Sequence, residues 1–174
     1  MDLKEITNLI TCNAESLNIN KWDFGASFSN DFSVQVDKGI AKQLKASQKQ
    51  VLTLRVWNKN NLVGITTTSD LSENGLKKAL YQANLASDYG NKNELTDFSP
   101  LAKDPIKKIK EDKRSPAGIK KLLETLRIAE SKLLDKHSAI KTIPYNGLSE
   151  SFFKRIYANS DGAQRSYEKS QAAI

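Results

Sequence analysis

Residues 51–80 read VLTLRVWNKNNLVGITTTSDLSENGLKKAL, and within them the spacing of the apolar residues changes. Apolar and polar residues alternate over 52–56, which is typical of a strand with one buried face. The polar run 58–61 has the composition of a hairpin turn, and a further strand is expected over 62–68. After residue 68 the apolar spacing becomes three and four residues, which predicts a helix.

Two carboxylates near the start of this helix suggest how it begins. Asp70 can accept hydrogen bonds from free backbone N–H groups, and Glu73 can reach back to the chain at Asp70, as in a capping box. The same pair could be read as a general acid and base, but capping explains both residues without a substrate. The apolar stripe of the helix is rich in alanine, which permits close packing on a sheet, and Gly90 is its expected end.

The preceding sequence predicts a helix followed by an antiparallel meander. Residues 3–17 place apolar side chains on one stripe of a helix. Alternation from residue 22 to residue 46 predicts three strands, with turns at 29–31 and 37–39 and another around Gln48. Strands joined by such short turns pair antiparallel.

The following sequence predicts a connector, a helix and strands. Residues 91–114 contain two prolines and many charges, which indicates a charged connector with one short helical turn. Ser115-Pro116 is expected to begin a helix that runs to about Lys136, with proline at the first helical position. Strands are then expected over 139–143 and 151–158 and in the alternating run that follows Gly162 and continues to Ile174, with turns at Asn146-Gly147 and at Asn159-Ser160-Asp161-Gly162.

These patterns predict an α+β fold, in which an antiparallel β-sheet meander is covered by helices on one face. The expected order is helix, strands, helix, helix, strands. A length of 174 residues suits one domain. The last strand runs to Ile174 without a turn or polar tail, so we expect residues 1–174 to be a fragment of a longer chain.

Simple features of the sequence predict the cellular location of the protein and whether it can form a disulfide. No apolar run approaches the ~18 residues that cross a bilayer, and the first residues lack the basic region of a signal peptide. We therefore expect a cytoplasmic protein that does not enter a membrane. Cys12 is the only cysteine, which excludes an internal disulfide, and we expect it to be buried as a small apolar side chain.

The net charge of +7 raises the question of nucleic-acid binding. Much of the excess lies between Lys103 and Lys121, where eight basic residues face three acidic ones and no aromatic residue occurs. Aromatic side chains usually stack on the bases of single strands, so their absence weakens this interpretation. A solvated helical face is the favoured explanation.

No complete catalytic or metal site is evident. His137 is the only histidine, which excludes a zinc site built from two or three imidazoles, and we expect it near the negative end of the preceding helix. A nucleophilic pair of Cys12 and His137 has no local support. Ser166 and Lys169 match a Ser-x-x-Lys motif, but the segment alternates like a strand, so the two side chains point to opposite faces. We therefore predict no catalytic, cofactor-binding or metal-binding residue in this chain.

Two motifs resemble the TldD/PmbA family. The first is the strand, turn and helix of residues 51–80, with Thr68, Ser69, Asp70 and Leu71 at its centre. The second is the strand-turn signature Tyr157-Ala158-Asn159-Ser160-Asp161-Gly162, in which Asn159, Ser160 and Gly162 match the family pattern. The resemblance covers essentially the whole chain, and Thr-Ser-Asp-Leu-Ser is more similar to the PmbA branch, also called TldE.

The resemblance implies a cytoplasmic zinc metallopeptidase, acting in proteolysis or peptide maturation, that is assembled from two related subunits. The TldD-type chain carries a His-Glu-x-x-x-His helix and the PmbA-type chain does not. Family chains are much longer than this one, and that helix lies beyond residue 174, so no zinc ligand can be carried over. Zinc is implied only for the TldD-type subunit, and we expect this chain to be inactive by itself.

The resemblance also implies a role for residues 1–174. They would form the single N-terminal domain of a TldD/PmbA-like subunit, and they would contribute to subunit assembly and enclose a peptide-binding cavity. The expected partners are a related subunit, in a homo- or heterodimer, and an unfolded or extended peptide substrate. The older family label, modulator of DNA gyrase, keeps a basic nucleic-acid-associated accessory domain as the alternative.

Overall fold

The computed structural model describes residues 2–91, 97–105 and 116–174. These residues form three α-helices and five strands, together with a short 3-10 helix at Pro100–Lys103. The elements are α1 Leu3–Ser16, β1 Lys21–Asp37, β2 Ile40–Trp57, β3 Val63–Thr68, α2 Glu73–Ser87, α3 Gly118–Leu134, β4 Gly147–Asn159 and β5 Gln164–Ala173. The predicted α+β class and the predicted order of elements are confirmed.

The strands form one antiparallel sheet in the order β3-β2-β1-β4-β5. β1 and β2 contain 17 and 18 residues, so the turns predicted at 29–31 and around Gln48 are wrong. The polar residues there stay in the strands because they bond to one another. The Asp31 carboxylate accepts hydrogen bonds from Ser29 Oγ at 3.3 Å and from Ser47 Oγ at 3.4 Å.

The chain divides into two compact units, both of which contain parts of the long strands. Unit 1 comprises Met1–Ser27, Gln50–Lys110 and Arg155–Tyr167. Unit 2 comprises Phe28–Lys49, Glu111–Lys154 and Glu168–Ile174. The helices α1 and α2 therefore belong to unit 1, and α3 belongs to unit 2.

The core of unit 1 is formed by the apolar face of the sheet and by α1 and α2. Phe24, Leu54, Ile10 and Leu80 are fully buried there. Burial of side chains of this size contributes about 1.5–3 kcal/mol each, before conformational entropy is counted. The interface between β3 and α2 is so close that a Cβ atom on Gly64 would lie 1.8 Å from the Ala83 carbonyl oxygen.

The core of unit 2 is formed where α3 packs on β1. Val34 and Val36 of the strand pack with Leu122 and Leu126 of the helix. The same helix holds the β1–β2 turn, because the Glu130 carboxylate accepts hydrogen bonds from the backbone N–H of Lys38 at 2.9 Å and of Gly39 at 2.7 Å.

The start of α3 differs from the prediction. The helix begins at Gly118, so Pro116 precedes it, and Ser115 lies outside the described residues. The N–H of Ala117 donates to Glu150 Oε2 at 2.7 Å. Glu150 of β4 therefore binds the N–H of the residue before the helix, whereas no side chain in the described residues caps the N–H groups of its first turn.

Two further predictions need correction. Residues 139–143 form turns and irregular chain rather than a strand, and the N–H of Ala139 donates to His137 Nδ1 at 3.1 Å. Cys12 is exposed, because the buried stripe of α1 passes through Ile6, Ile10 and Ala14. In the part of the chain that is described, no helix is long and apolar enough to cross a membrane.

Candidate functional site

The most unusual polar feature of unit 1 is a cluster of Asp23, Arg55 and Tyr157, called here the polar cluster. These residues lie on β1, β2 and β4, which are neighbours in the sheet. The strand neighbours of each residue face the apolar core, as Trp22 and Phe24 do around Asp23. Since side chains alternate along a strand, the polar cluster lies on the opposite face of the sheet.

The polar cluster is joined by an ion pair with two parallel hydrogen bonds. Arg55 Nε donates to Asp23 Oδ1 at 2.8 Å, and Arg55 Nη2 donates to Asp23 Oδ2. The Tyr157 hydroxyl donates to the same Oδ2 at 3.2 Å. Asp23 is only 2% exposed, so this carboxylate depends on both partners to replace its lost hydration.

The pKa shifts of Arg55 and Tyr157 favour one protonation state of the polar cluster. The hydrogen bond to Asp23 raises the pKa of Arg55, and burial followed by the negative charge of Asp23 raises the pKa of Tyr157. Arginine therefore stays charged and tyrosine stays neutral across the physiological range. Neither side chain acts as a base in this state.

Aromatic and charged side chains pack around the polar cluster. Arg55 Cζ lies 5.1 Å from the centroid of Trp57, and Phe98 packs edge-on against the same ring at 5.0 Å. Lys21 Nζ lies 5.3 Å from each of these two aromatic rings and 2.7 Å from Asp97 Oδ1. The hydrogen bond from Lys21 lowers the pKa of Asp97. Residues 97 and 98 thus cover part of this face of the sheet.

The turn that follows Tyr157 has the predicted geometry. Asn159 Oδ1 accepts a hydrogen bond from the Ala163 N–H at 2.9 Å, and the Gly162 N–H donates to the Asn159 carbonyl at 3.1 Å. Gly162 has a φ of +86°, the left-handed conformation expected for it. Ser160 connects the turn to β1, because its N–H donates to the Trp22 carbonyl at 2.9 Å and its Oγ accepts from the Trp22 N–H at 3.3 Å.

The Thr68–Leu71 motif forms the start of α2, with a cap different from the predicted one. Ser72 is the N-cap, since its Oγ accepts from the Gly75 N–H at 3.1 Å. Asp70 lies two residues before Ser72, and its Oδ1 accepts from the Ser72 N–H at 3.0 Å. Asp70 was wrongly predicted as the cap because the helix starts two residues later than the spacing suggested. The hydrogen bonds from Ser72 lower the pKa of Asp70.

Both motifs therefore have evident structural roles. Thr68 Oγ1 accepts from the Asp70 N–H at 3.0 Å, and the Ser69 carbonyl accepts from Gln50 Nε2 at 2.9 Å. Leu71 is buried in the core. In the parts of the chain that are described, no hydrogen bond or ion pair connects this motif to the Asn159–Gly162 turn. The turn does adjoin the polar cluster, through Tyr157 at the end of β4.

The arrangement offers stability rather than bond-breaking chemistry. The Asp23 carboxylate accepts three hydrogen bonds, two from Arg55 and one from Tyr157, and these two side chains have pKa values unsuited to proton transfer near neutrality. Within residues 2–91, 97–105 and 116–174, no group of three or more His, Cys, Asp and Glu side chains is placed to hold a metal ion. His137 and Cys12 are both exposed.

Sequence reasoning missed the polar cluster. Asp23 and Arg55 each occupy an outward position of an alternating strand, where a charged residue is usually exposed to solvent. Only the strand order, with β1 between β2 and β4, brings the three residues together. The lysines 107, 108 and 110, on which the nucleic-acid alternative depends, lie outside the described residues.

Searches for related sequences gave no match, either to a protein-family model or to a curated protein. Several solved structures do match. One is a protein from Thermotoga maritima assigned as a modulator of DNA gyrase, which has a TM-score of 0.75 and 14% identity, over 98% of this chain and 38% of that chain. Another is TldE from Thermococcus kodakarensis, which has a TM-score of 0.73 and 17% identity, over 96% of this chain and 37% of that chain.

A protein from Bacteroides thetaiotaomicron, also assigned as a modulator of DNA gyrase, matches with a TM-score of 0.70 and 14% identity, over 96% of this chain and 38% of that chain. This chain therefore spans less than two fifths of the length of these proteins. At such identities the likeness concerns the fold. The fold implied by the resemblance to the TldD/PmbA family is confirmed.

Proposed function

We propose that this chain is the N-terminal domain of a TldD/PmbA-like zinc metallopeptidase subunit, closer to the TldE branch. Its role is to assist subunit assembly and to enclose a peptide-binding cavity, while peptide hydrolysis depends on further protein. The observation that carries this proposal is the match of 96–98% of the chain to only 37–38% of each longer protein. A fold that makes up less than two fifths of each longer protein suits a domain with a supporting role.

The polar cluster supports a scaffold role. A carboxylate that is 2% exposed and bonded to two neighbouring strands cross-links the sheet on the face opposite the apolar core. A cavity wall needs this kind of rigidity, because a substrate is bound well only when the surrounding side chains are already in place. Under this proposal, no described side chain takes part in the step of peptide hydrolysis.

The assignment to the TldE branch has two supports. The segment Thr68-Ser69-Asp70-Leu71-Ser72 resembles that branch, and TldE itself is among the matching structures. In a PmbA-type subunit the zinc would be held by the partner chain. Expected partners are therefore a related TldD-type subunit and an unfolded or extended peptide.

Co-expression would test this proposal. The full-length protein, with a tag, is produced together with the related TldD-type chain of the same organism. We expect the two chains to co-purify and to hydrolyse an unfolded peptide in a reaction that a chelator stops. Separate purification of the two chains, or zinc-dependent hydrolysis by the tagged protein by itself, would contradict the proposal.

A basic nucleic-acid-associated domain is the second candidate. Two observations favour it: the net charge of +7, and the assignment of two matching proteins as modulators of DNA gyrase. Binding of a fluorescent DNA duplex should be measured over a range of salt concentrations. We expect weak binding that Lys107→Ala, Lys108→Ala and Lys110→Ala barely change. Submicromolar binding at physiological salt, with a salt slope reduced by these substitutions, would favour the second candidate.

A further inference from the structure

A second polar surface in unit 1 is a cleft of about 520 Å³, called here the asparagine cleft. It lies among the residues that follow α1, the residues that follow β2, and one side of α2. Six asparagines line it: Asn18, Asn20, Asn58, Asn60, Asn61 and Asn84. Asparagine is common in turns, so the first question is which of the six the fold itself requires.

Three of the asparagines have a structural reason to be there. Asn18 and Asn61 have φ values of +56° and +62°, in the left-handed region that asparagine tolerates better than most residues. Asn58 organises the turn after β2. Its Oδ1 accepts from the N–H of Asn60 at 2.9 Å and of Leu62 at 3.0 Å, and its Nδ2 donates to the Ser87 carbonyl at 3.1 Å.

The other three, Asn20, Asn60 and Asn84, have no such reason. Their backbones are not left-handed, and their side-chain amides make no hydrogen bond within the described part of the chain. Asn84 is the clearest case. It lies inside α2, where asparagine is a poor helix former, and it is half-buried with its amide unused.

The cleft is unsuited to charged ligands and to ligands that stack on aromatic rings. Lys21 is paired with Asp97 at 2.7 Å, which leaves Lys59 and Asp88 as one charge of each sign. Trp57 is only 4% exposed, and its ring is already contacted by Lys21, Arg55 and Phe98. A nucleic-acid base or a sugar ring would find no free aromatic face.

Side-chain amides match one ligand class well. Each offers two N–H donors and a carbonyl acceptor, which complement the carbonyl and N–H of a peptide group. We propose that the asparagine cleft binds the main chain of an extended, uncharged polypeptide segment through the side-chain amides of Asn20, Asn60 and Asn84. Such binding reads the main chain and so tolerates many sequences. The inference rests on the proposed function for the idea that peptides reach this domain.

The test uses the 174-residue chain, isotopically labelled, and a blocked octapeptide of Gly, Ser, Thr and Val. We expect amide chemical shifts to move at residues 17–21, 57–61 and 84–88 as the peptide is added. A peptide of the same composition in scrambled order should bind equally. A depsipeptide, in which esters replace alternate amides, should bind at least tenfold more weakly because it lacks half of the main-chain N–H donors.

The variants should identify the binding groups. Asn20→Ala, Asn60→Ala and Asn84→Ala together should weaken binding at least tenfold while the chain keeps its melting temperature. Asn8→Ala removes an exposed asparagine of α1 outside the cleft and should change nothing. Unchanged binding by the triple variant, shifts elsewhere on the chain, or equal shifts with a neutral oligosaccharide would each overturn the inference.

Failure of this inference can be separated from failure of the proposed function. If the co-expressed subunits assemble and hydrolyse peptide, yet the octapeptide moves no resonance of the asparagine cleft, then only the inference is wrong. If the subunits do not assemble and the cleft still binds peptide, then the proposed function is wrong and the main-chain site stands.

Discussion

At the scale of single residues, Gly162 makes the sharpest prediction. Its φ of +86° is unfavourable for any side chain with a β-branch. Gly162→Val should therefore lower the free energy of unfolding by about 1–3 kcal/mol, as measured by urea melts. A Cβ atom there would meet nothing within 4 Å, so the loss would arise from the backbone and not from a clash.

Asp161→Ala is the matched control in the same turn, and it should cost much less. The Asp161 carboxylate lies 4.0 Å from Lys103 Nζ, and both side chains are more than half exposed. Exposed ion pairs of this kind contribute little. Equal stability of Gly162→Val and the parent chain would show that the turn does not need a left-handed residue.

The polar cluster gives a second prediction at this scale. Asp23→Ala should destabilise the chain by about 3 kcal/mol, because Arg55 keeps its charge without a partner in a half-buried position. Tyr157→Phe removes one hydrogen bond and should cost about 1 kcal/mol. Because the pKa of Tyr157 is raised in the folded state, the parent chain should also lose stability as pH rises above ~10, and Tyr157→Phe should lose less.

Thermal and urea melts of the two variants would check the order of these effects. Glu15→Ala, at an exposed position of α1, serves as the control and should be near neutral. If Asp23→Ala were as stable as the control, the ion pair would not cross-link the sheet.

At the scale of secondary structure elements, the Glu130 carboxylate connects α3 to the turn of the β1–β2 hairpin. Glu130 is 2% exposed and accepts two backbone hydrogen bonds from the hairpin turn. Glu130→Ala should therefore cost about 1–3 kcal/mol, because two N–H groups of the hairpin turn lose a charged acceptor. Hydrogen exchange should become faster at Lys38 and Gly39 before it becomes faster elsewhere.

Glu124→Ala, on the exposed side of the same helix, is the control for helix propensity and net charge. Glu130→Gln keeps one acceptor oxygen and should fall between the two. Unaltered exchange at the hairpin turn in Glu130→Ala would mean that α3 does not hold it.

The elements also show what the sequence could predict. Alternation and helical spacing located all three helices and the turn at Asn159–Gly162, because local patterns encode local structure. They divided β1 at Asn30, since the cross-strand bond from Ser47 of β2 to Asp31 cannot be seen in one strand. The polar cluster and the hydrogen bonds accepted by Glu130 and Glu150 were missed for the same reason: each joins residues far apart in sequence.

At the scale of the whole molecule, the prediction concerns metal. The 174-residue chain should bind no stoichiometric zinc and hydrolyse no peptide, since it has one histidine and no described metal-binding group. Titration calorimetry with zinc and a fluorogenic peptide assay would measure both. Tight zinc binding together with chelator-sensitive hydrolysis would show that the active centre lies in this chain.

The strand order has a consequence for synthesis on the ribosome. β1 is the central strand of the sheet, with β2 on one side and β4 on the other. β4 begins only at Gly147. At about 5–20 residues per second, the gap between the two strands takes several seconds or more to translate. During that time one edge of β1 has no β4 beside it, and unpaired edges invite aggregation. Until β4 brings Tyr157, the Asp23–Arg55 ion pair of β1 and β2 lies beside that open edge, and charged side chains near an edge discourage pairing with other chains. A pair that later helps to cross-link the sheet would thus first protect the nascent chain.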